Sequence, residues 1–200
     1  MKRSILESLK SRRSYYALGD DCNLSQEQIE QMVYDAATHA PSAYNSQSTR
    51  LVLLFGEYHH RLWEIVKETL KAIISEEAYA QTEKKINQSF AGGFGTVLFY
   101  EDQDVVAGLQ KKFPSYAANF PTFSEHTSAM HQLALWMMFE DEGMGASLQH
   151  YNPLIDEAVR EEYDLPQNWK LVAQMPFGKP LDTPGDKSCL PLDEKVKVYK

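Results

Sequence analysis

Two arginines and a serine stand together near the start of the chain, at Arg12, Arg13 and Ser14. A guanidinium offers several N–H donors in one plane and the hydroxyl adds another, so the triplet has the donors that a phosphate group needs. It also follows a predicted short helix, and cations are common at helix C-termini because they interact favourably with the helix dipole. Taken alone, the triplet favours a helix end over a phosphate site.

A second polar segment, 40–48, reads Ala-Pro-Ser-Ala-Tyr-Asn-Ser-Gln-Ser and lies between a predicted helix and a predicted buried strand. The amides of Asn45 and Gln47 can donate and accept hydrogen bonds at the same time, which suits the polar edge of a flavin or a nucleobase. A polar loop that binds nothing is the alternative.

Two glycines separated by one residue, Gly143 and Gly145, follow a long apolar stretch. Because glycine has no side chain, the backbone there can approach a flat ligand closely. As an isolated feature the pair is a helix stop.

The glycines at 92, 93 and 95 do not form a dinucleotide-binding loop. The fingerprint of that loop needs a third glycine, a strand before the loop and a helix after it. Here a helix is predicted before the glycines and a strand after them, so we interpret them as a turn. The nucleophile elbow, the zinc-protease helix motif and the phosphate loop are also absent from the sequence.

Composition limits the possible classes of function. The chain has 200 residues, 43% of them hydrophobic, and a formal net charge of −8. This size and composition predict one globular domain, residues 1–200. The negative charge argues against nucleic acid and anionic membranes as partners, since both select basic surfaces. The two cysteines form no C-x-x-C pair, and no signal peptide or membrane span is recognisable, so we expect a cytoplasmic protein.

Helical and extended patterns alternate along the chain, which predicts an α/β or α+β fold. Capping boxes predict helix starts at Ser4 and Ser25. Short apolar runs predict strands at 51–55, 96–100, 146–148 and 169–175.

The second half of the chain carries four further predictions. The aromatic stretch 116–123 is predicted to be a loop, and 124–142 a helix so apolar that it is buried in a core or a subunit interface. Asn152-Pro153 predicts another helix start. The tail 190–200 ends in alternating valines, which predicts pairing at a sheet edge.

Taken together and in this order, the three polar and glycine-containing segments resemble the nitroreductase family. That family begins with R-R-S, continues with A-P-S-x-x-N-x-Q and carries G-[LM]-G after a buried central helix. The matching segments here are 12–14, 40–47 and 143–145, and Lys187 stands where the family has basic residues before a proline-leucine pair. The resemblance covers residues 4–200. Each piece is weak alone, but the ordered set is specific.

The resemblance implies an α+β fold, a three-layer α/β/α sandwich around a mostly antiparallel sheet, and a homodimer with FMN at the subunit interface, touched by both chains. It implies one group that holds the FMN phosphate, a second that meets one side of the ring, and a third whose backbone lies near the other side. In that order the matching residues are Arg12, Ser14 and Lys187; Pro41, Ser42, Asn45 and Gln47; and Gly145 and Ala146, with Arg13 and Tyr16 beside the first group.

The implied function is the reduction of small aromatic acceptors, nitroaromatic or quinone-like, with electrons from NADH or NADPH. The flavin carries the chemistry, so no side chain is assigned as catalytic. Without a separate dinucleotide pocket, donor and acceptor are expected to use one flavin face in turn, which is a ping-pong mechanism. The candidates for lining that face are Tyr116, Phe120 and Phe123. Packing of these rings in the core is an equal alternative.

Two positions depart from the family pattern. Tyr16 stands where most members have a cation that supports negative charge on the reduced ring, and Ser48 stands where most have proline. Both departures resemble the fatty-acid-repression branch of the family. Tyr16 and the branch leave open a second function, a flavin-binding sensor with little turnover. A third alternative is an interaction protein whose helix 124–142 serves only dimerisation.

Overall fold

A central antiparallel sheet organises the protein. The computed structural model describes residues 4–200. The strands are β1 (Leu18–Gly19), β2 (Thr49–Phe55), β3 (Gly95–Asp102), β4 (Gly145–Ala146) and β5 (Trp169–Pro180). They pair in the order β1-β5-β3-β2, with β4 beside β5, and every pairing between these strands is antiparallel.

The helices lie between the strands in sequence. They are α1 (Ile5–Ser11), α2 (Gln26–His39), α3 (Gly56–Lys71), α4 (Glu76–Gln88), α5 (Gln103–Lys112), α6 (Phe120–Asp141), α7 (Asp156–Glu162) and α8 (Leu192–Lys195). Short 3₁₀-helices occupy Ala43–Asn45 and Pro114–Asn119. In residues 4–200, no helix combines the length and the hydropathy needed to cross a membrane.

Alternating side chains of the buried strand β3 divide the core into two layers. Leu98 and Tyr100 belong to the cluster that also contains residues of α3 and α7, whereas Val97 and Phe99 belong to the cluster of α2 and α6. Successive side chains of a strand point to opposite faces, so the sheet has a helical layer on each face. The predicted three-layer α/β/α sandwich is confirmed.

The predicted helix starts are confirmed where a capping box marks them. The Ser4 hydroxyl caps α1 and the Ser25 hydroxyl caps α2, and in each case the third helical residue returns the hydrogen bond. These side chains satisfy N–H groups that have no partner inside the helix. The predicted strands are also present, although β4 is only Gly145–Ala146.

Helix α6 differs from its prediction in extent and in burial. It begins at Phe120, and a 3₁₀-helix precedes it, so the predicted loop 116–123 is wrong. The buried side of α6 contains polar residues such as Thr127 and His131, while Met130 and Leu133 are exposed. Apolar composition therefore did not identify its inner face, because hydrogen bonds satisfy the buried polar groups.

Two predictions near the C-terminus are wrong. Asn152-Pro153 does not start a helix. The Asn152 amide oxygen accepts a hydrogen bond from Gln174 Nε2 at 3.2 Å, and α7 begins only at Asp156. The tail forms no strand within residues 4–200, and Val196 and Val198 are exposed. The local pattern fits in both cases. However, the Asn152 side chain bonds to Gln174 instead of capping a helix, and the valines of the tail contact no strand within residues 4–200.

The turn at 92–95 has a packing reason. A Cβ on Gly92 would lie 2.9 Å from the Leu18 carbonyl oxygen, and one on Gly93 would lie 2.8 Å from that of Phe177. Backbone cannot yield to such contacts, so these glycines let chain segments approach closely. The helix α4 precedes them and β3 follows, so the dinucleotide fold is excluded here, as the sequence predicted.

We expect His59 to make the stability of the protein depend on pH. Its Nδ1 lies 2.9 Å from Thr96 Oγ1, and its Nε2 lies 3.3 Å from the Ala91 carbonyl oxygen. Burial lowers the pKa of His59 from 6.5 to about 4. The unfolded chain therefore takes up a proton at a higher pH than the folded chain, and stability is lost as pH falls through this window.

The loss expected from His59 between pH 6.5 and 4 is about 3 kcal/mol. Urea unfolding at a series of pH values measures it. The His59→Gln variant should lose less stability over this window than the parent, whereas exposed His126→Gln should behave like the parent. Equal slopes for the parent and His59→Gln would contradict the assignment.

Candidate functional site

A cleft of about 510 Å³ lies between a segment near the start of the chain and a segment near its end. Residues that follow α1 form one side and residues that follow β5 form the other. The lining residues are Arg12, Arg13, Ser14, Tyr16 and the segment 182–187. The structure thus brings Lys187 beside the Arg-Arg-Ser triplet, and four of the sequence-predicted residues lie together with it.

Packing fixes the orientation of Arg12. Its guanidinium carbon lies 4.4 Å from the centre of the Trp136 ring, a cation–π distance, and Trp136 belongs to α6. Arg12 also lines a second cleft, with Ser14, Leu133 and Leu148. The side chain therefore lies between two clefts, held on an aromatic ring.

Arg13 contacts the opposite side of the first cleft. Its Nη2 donates a hydrogen bond of 2.5 Å to the Gly185 carbonyl oxygen. This bond ties the segment 182–187 to the end of α1, and it commits Arg13 to the protein backbone. Arg13 thus holds the segment that carries Lys187, whereas the guanidinium of Arg12 lies against the Trp136 ring.

The charges of this cleft nearly balance. Arg12, Arg13 and Lys187 bring three cations, and Asp182 and Asp186 bring two carboxylates. One net positive charge and the Ser14 hydroxyl give the cleft the donors for an anion of the size of a phosphate group. The two carboxylates reduce the attraction of the cleft for an anion. Binding of an anion there therefore depends more on the orientation of the donors than on the overall charge.

Gly145 and Ala146 support the triplet from behind. Tyr15 N–H donates to the Ala146 carbonyl oxygen at 3.0 Å, and Ser14 and Ala146 form a parallel bridge. A Cβ on Gly145 would lie 2.9 Å from the Tyr15 Cβ. Both residues are buried in the chain. Their observed contacts hold Ser14 and Tyr15 in place, and their proximity to a flavin ring stays a prediction.

The 41–47 loop has an unusual backbone. Tyr44, Asn45 and Gln47 have φ angles of 57°, 50° and 49°. This left-handed region is costly for residues other than glycine, so surrounding contacts must hold the loop in it. Within residues 4–200 the exposed amides of Asn45 and Gln47 have no hydrogen-bond partner, which leaves both available to a ligand. Pro41 and Ser42 complete the predicted set, and Ser42 Oγ accepts from Gln47 N–H at 3.0 Å.

Hydrogen bonds at both ends attach the loop to the rest of the protein, and one of them, 2.7 Å long, runs from Arg50 Nη1 to the Gln47 carbonyl oxygen. Ala43 N–H donates to Thr127 Oγ1 of α6 at 3.3 Å. After the loop, Ser48 Oγ donates to Glu101 Oε2 at 2.5 Å. Burial raises the pKa of Glu101, and the hydrogen bonds from Ser48 and Thr49 oppose this shift. Ser48, which stands where most of the family has proline, is thus bonded to a buried carboxyl.

The 41–47 loop lies on the opposite side of α6 from the cleft that Arg12 and Lys187 line, which is called the Arg12 cleft below. Ala43 contacts Thr127, and Arg12 contacts Trp136, nine positions later in the helix. At about 3.6 residues per turn, nine positions correspond to about two and a half turns, so the two side chains point in opposite directions. No residue of 41–47 lines either cleft of Arg12. One chain therefore does not bring both predicted flavin-binding groups to one place.

The predicted acceptor-binding rings occupy different environments. Phe120 is only 2% exposed and packs 5.4 Å from Tyr44, measured between ring centres. Phe123 is half-buried and lies 5.9 Å from Phe120, whereas Tyr116 is 51% exposed. For Phe120 the structure favours the packing alternative. Tyr44, 53% exposed on the loop itself, is an aromatic candidate that sequence reasoning missed.

Tyr16 stays a predicted cofactor-binding residue, and half of its surface is exposed. It lines the Arg12 cleft, is 50% exposed, and its ring centre lies 6.4 Å from that of Phe90. It brings a ring where most of the family has a cation. Trp136, Thr127 and Glu101 are further site residues that carry no motif in the sequence. The one feature of the sequence that could have identified any of them is a polar residue within an apolar helix, as at Thr127.

Known proteins resemble this chain in sequence and in fold. The sequence profile of the Nitroreductase family matches residues 9–179. The nitroreductase FRM2 of Saccharomyces cerevisiae is 31% identical over 196 residues, which cover 97% of this chain and 96% of the relative.

Solved structures of nitroreductase CinD from Lactococcus lactis have the same fold. The complex with chloramphenicol superposes with a TM-score of 0.89 and the complex with 4-nitrophenol with 0.88. Both are 41% identical to this chain and cover 98% of it and 100% of their own chains. With the matching profile and the ordered motifs, these similarities show that the chain is a member of the nitroreductase family.

Proposed function

We propose that this protein is an FMN-dependent oxidoreductase that takes electrons from NADH or NADPH and reduces nitroaromatic or quinone-like acceptors. One observation carries the proposal. Arg12, Ser14 and Lys187, from distant parts of the chain, line one cleft with the donors that a phosphate monoester needs. Membership of a family of oxidoreductases that generally use FMN supports the choice of cofactor.

The residues present fit FMN at both ends. Arg12 would contact the phosphate with a guanidinium already oriented on Trp136. Asn45 and Gln47 have exposed amides, which can both donate to and accept from the polar edge of the ring. When bound, FMN supplies the hydride and electron transfer, and the protein supplies binding, orientation and exclusion of water.

The proposed site requires a homodimer. Because the loop and the Arg12 cleft lie on opposite sides of α6, a single flavin can meet both groups only if a second copy supplies one of them. An exposed apolar surface adjoins the cleft and fits that second copy. It comprises Ile5, Leu6 and Leu9 of α1 and Met130 and Leu133 of α6.

We expect light scattering at micromolar concentration to report about twice the 22.9 kDa of one chain. Leu133→Glu should weaken self-association at least tenfold, since it places a charge in a surface that is buried in the dimer. Leu154→Glu is the matched control, because Leu154 is also exposed but lies near α7. A parent protein with the mass of one chain would contradict the dimer and the shared flavin site.

The absorbance spectrum of the purified protein tests the proposed function. The expected protein is yellow, is bleached without oxygen by NADH or NADPH, and regains its colour with 4-nitrophenol or a quinone. Steady-state double-reciprocal lines should be parallel, as expected when donor and acceptor use one face in turn.

The other outcomes separate the alternatives. A yellow protein that neither nucleotide bleaches is a flavin-binding sensor, which the ring at Tyr16 in place of a cation would explain. A colourless protein that FMN cannot colour is an interaction protein. Intersecting kinetic lines would reject the shared face and leave the cofactor assignment intact.

A further inference from the structure

Glu101 is a buried carboxyl that lies directly behind the 41–47 loop. It is 0% exposed, and in the β2–β3 register it stands opposite Thr49. Both of its oxygens accept hydrogen bonds, from Ser48 Oγ at 2.5 Å and from Thr49 Oγ1 at 2.6 Å. In residues 4–200 it forms no ion pair, since the neighbouring Arg50 pairs with Asp102. Burying a carboxyl without a countercharge costs free energy, and the two hydrogen bonds offset part of that cost.

The two donors are the residues that follow the loop. Ser48 and Thr49 follow Gln47 directly, so fixing their side chains fixes the exit of the loop. Thr49 Oγ1 also lies 3.4 Å from His131 Nδ1. His131 Nδ1 in turn lies 2.9 Å from the Thr127 carbonyl oxygen and carries the proton, because a carbonyl only accepts. Thr127 is the residue that holds the loop entrance at Ala43.

Entrance and exit of the loop are therefore joined by one hydrogen-bond network, whose side chains are buried except for the half-buried Thr49. Between them stand three residues with left-handed backbone, Tyr44, Asn45 and Gln47. A segment with this backbone persists only when surrounding contacts hold it. Most of the family has proline at position 48, which restricts the backbone without any partner. A serine restricts it only through a hydrogen bond, and here that bond goes to Glu101.

We infer that Glu101 is a positioning residue, which holds the loop through Ser48 and Thr49 in the conformation that receives the flavin ring. The inference rests on the proposed function only for the identity of the ligand. The anchoring of the loop is a property of the protein without ligand, so it can be measured separately.

Hydrogen exchange of the ligand-free protein tests the anchoring. In Glu101→Leu the amides of 42–47 should exchange at least tenfold faster, while those of α2 and α3 exchange as in the parent. Glu101→Gln retains an acceptor oxygen and should lie close to the parent. Leu98→Ala is the control for lost stability, since Leu98 is buried in the same strand on the face that packs on α3. It should leave 42–47 unchanged.

Titration with riboflavin and FMN tests the role in binding. Glu101→Leu should weaken the binding of both flavins by the same factor, about tenfold, because the loop is proposed to contact the ring that they share. If Glu101→Leu does not fold, the double variant Ser48→Ala with Thr49→Val removes the same bonds and should give the same two results.

The outcomes distinguish the two levels of the proposal. Unchanged exchange of 42–47 in both the leucine and the double variant would overturn the role of Glu101, whether or not FMN binds. Equally fast exchange in Leu98→Ala would overturn it too, because the effect would then be general loss of stability. A parent that binds neither flavin would reject the proposed function, and the exchange result would still decide the anchoring.

Discussion

Replacing Arg12 with alanine is expected to weaken FMN binding about ten- to a hundredfold. A charge-assisted hydrogen bond contributes about 1.5–3 kcal/mol, and each 1.4 kcal/mol corresponds to about tenfold in affinity. The full effect is expected because the guanidinium is already oriented, 4.4 Å from the Trp136 ring centre. Little side-chain entropy is then lost on binding. Quenching of flavin fluorescence measures the affinity.

Two controls make this result specific for the phosphate. Riboflavin has no phosphate, so its affinity should be the same for the parent and Arg12→Ala. Lys10→Ala removes a positive charge from the last turn of the same helix without changing the cleft, and it should bind FMN like the parent. If Arg12→Ala and Lys187→Ala both bind FMN like the parent, the phosphate assignment is wrong.

Replacing Phe120 with alanine is expected to lower the free energy of unfolding by about 3–5 kcal/mol. The ring is 2% exposed and packs against Tyr44 and Phe113, with ring centres 5.4 and 6.1 Å away. Removing the ring leaves a cavity at the start of α6, and the lost packing contacts lower the stability. Denaturant unfolding of the ligand-free protein measures the loss.

Phe123→Ala is the matched comparison, because its ring is only half-buried. It should leave the melting temperature nearly intact and change the Michaelis constant for aromatic acceptors. A large fall in melting temperature would instead show that Phe123 belongs to the core. An unchanged stability of Phe120→Ala would contradict the packing described for that residue.

The sequence by itself determined the local features and the family. The capping serines at Ser4 and Ser25 mark helix starts because a side chain within three residues satisfies the free N–H groups. Gly143 ends α6 with a φ of 78°, a conformation that glycine adopts without steric cost. The three motifs were recognisable in order because each depends on a few neighbouring residues.

The tertiary structure alone decided which residues meet. Lys187 reaches Arg12 only because β5 returns to the end of α1 and Arg13 holds the Gly185 carbonyl. Glu101 carried no motif, since its partners lie at the start of another strand and their contact depends on the β2–β3 register. Contacts between distant segments leave no local pattern in the sequence.

Burial was also decided by the fold. Phe120 and Tyr116 are both aromatic and four positions apart, yet one is in the core and the other is half exposed. The same holds for α6, whose composition shows that it is apolar but not which side is covered. Composition sets how much apolar surface a segment brings, whereas the neighbours that cover each side are set by the packing of the whole chain.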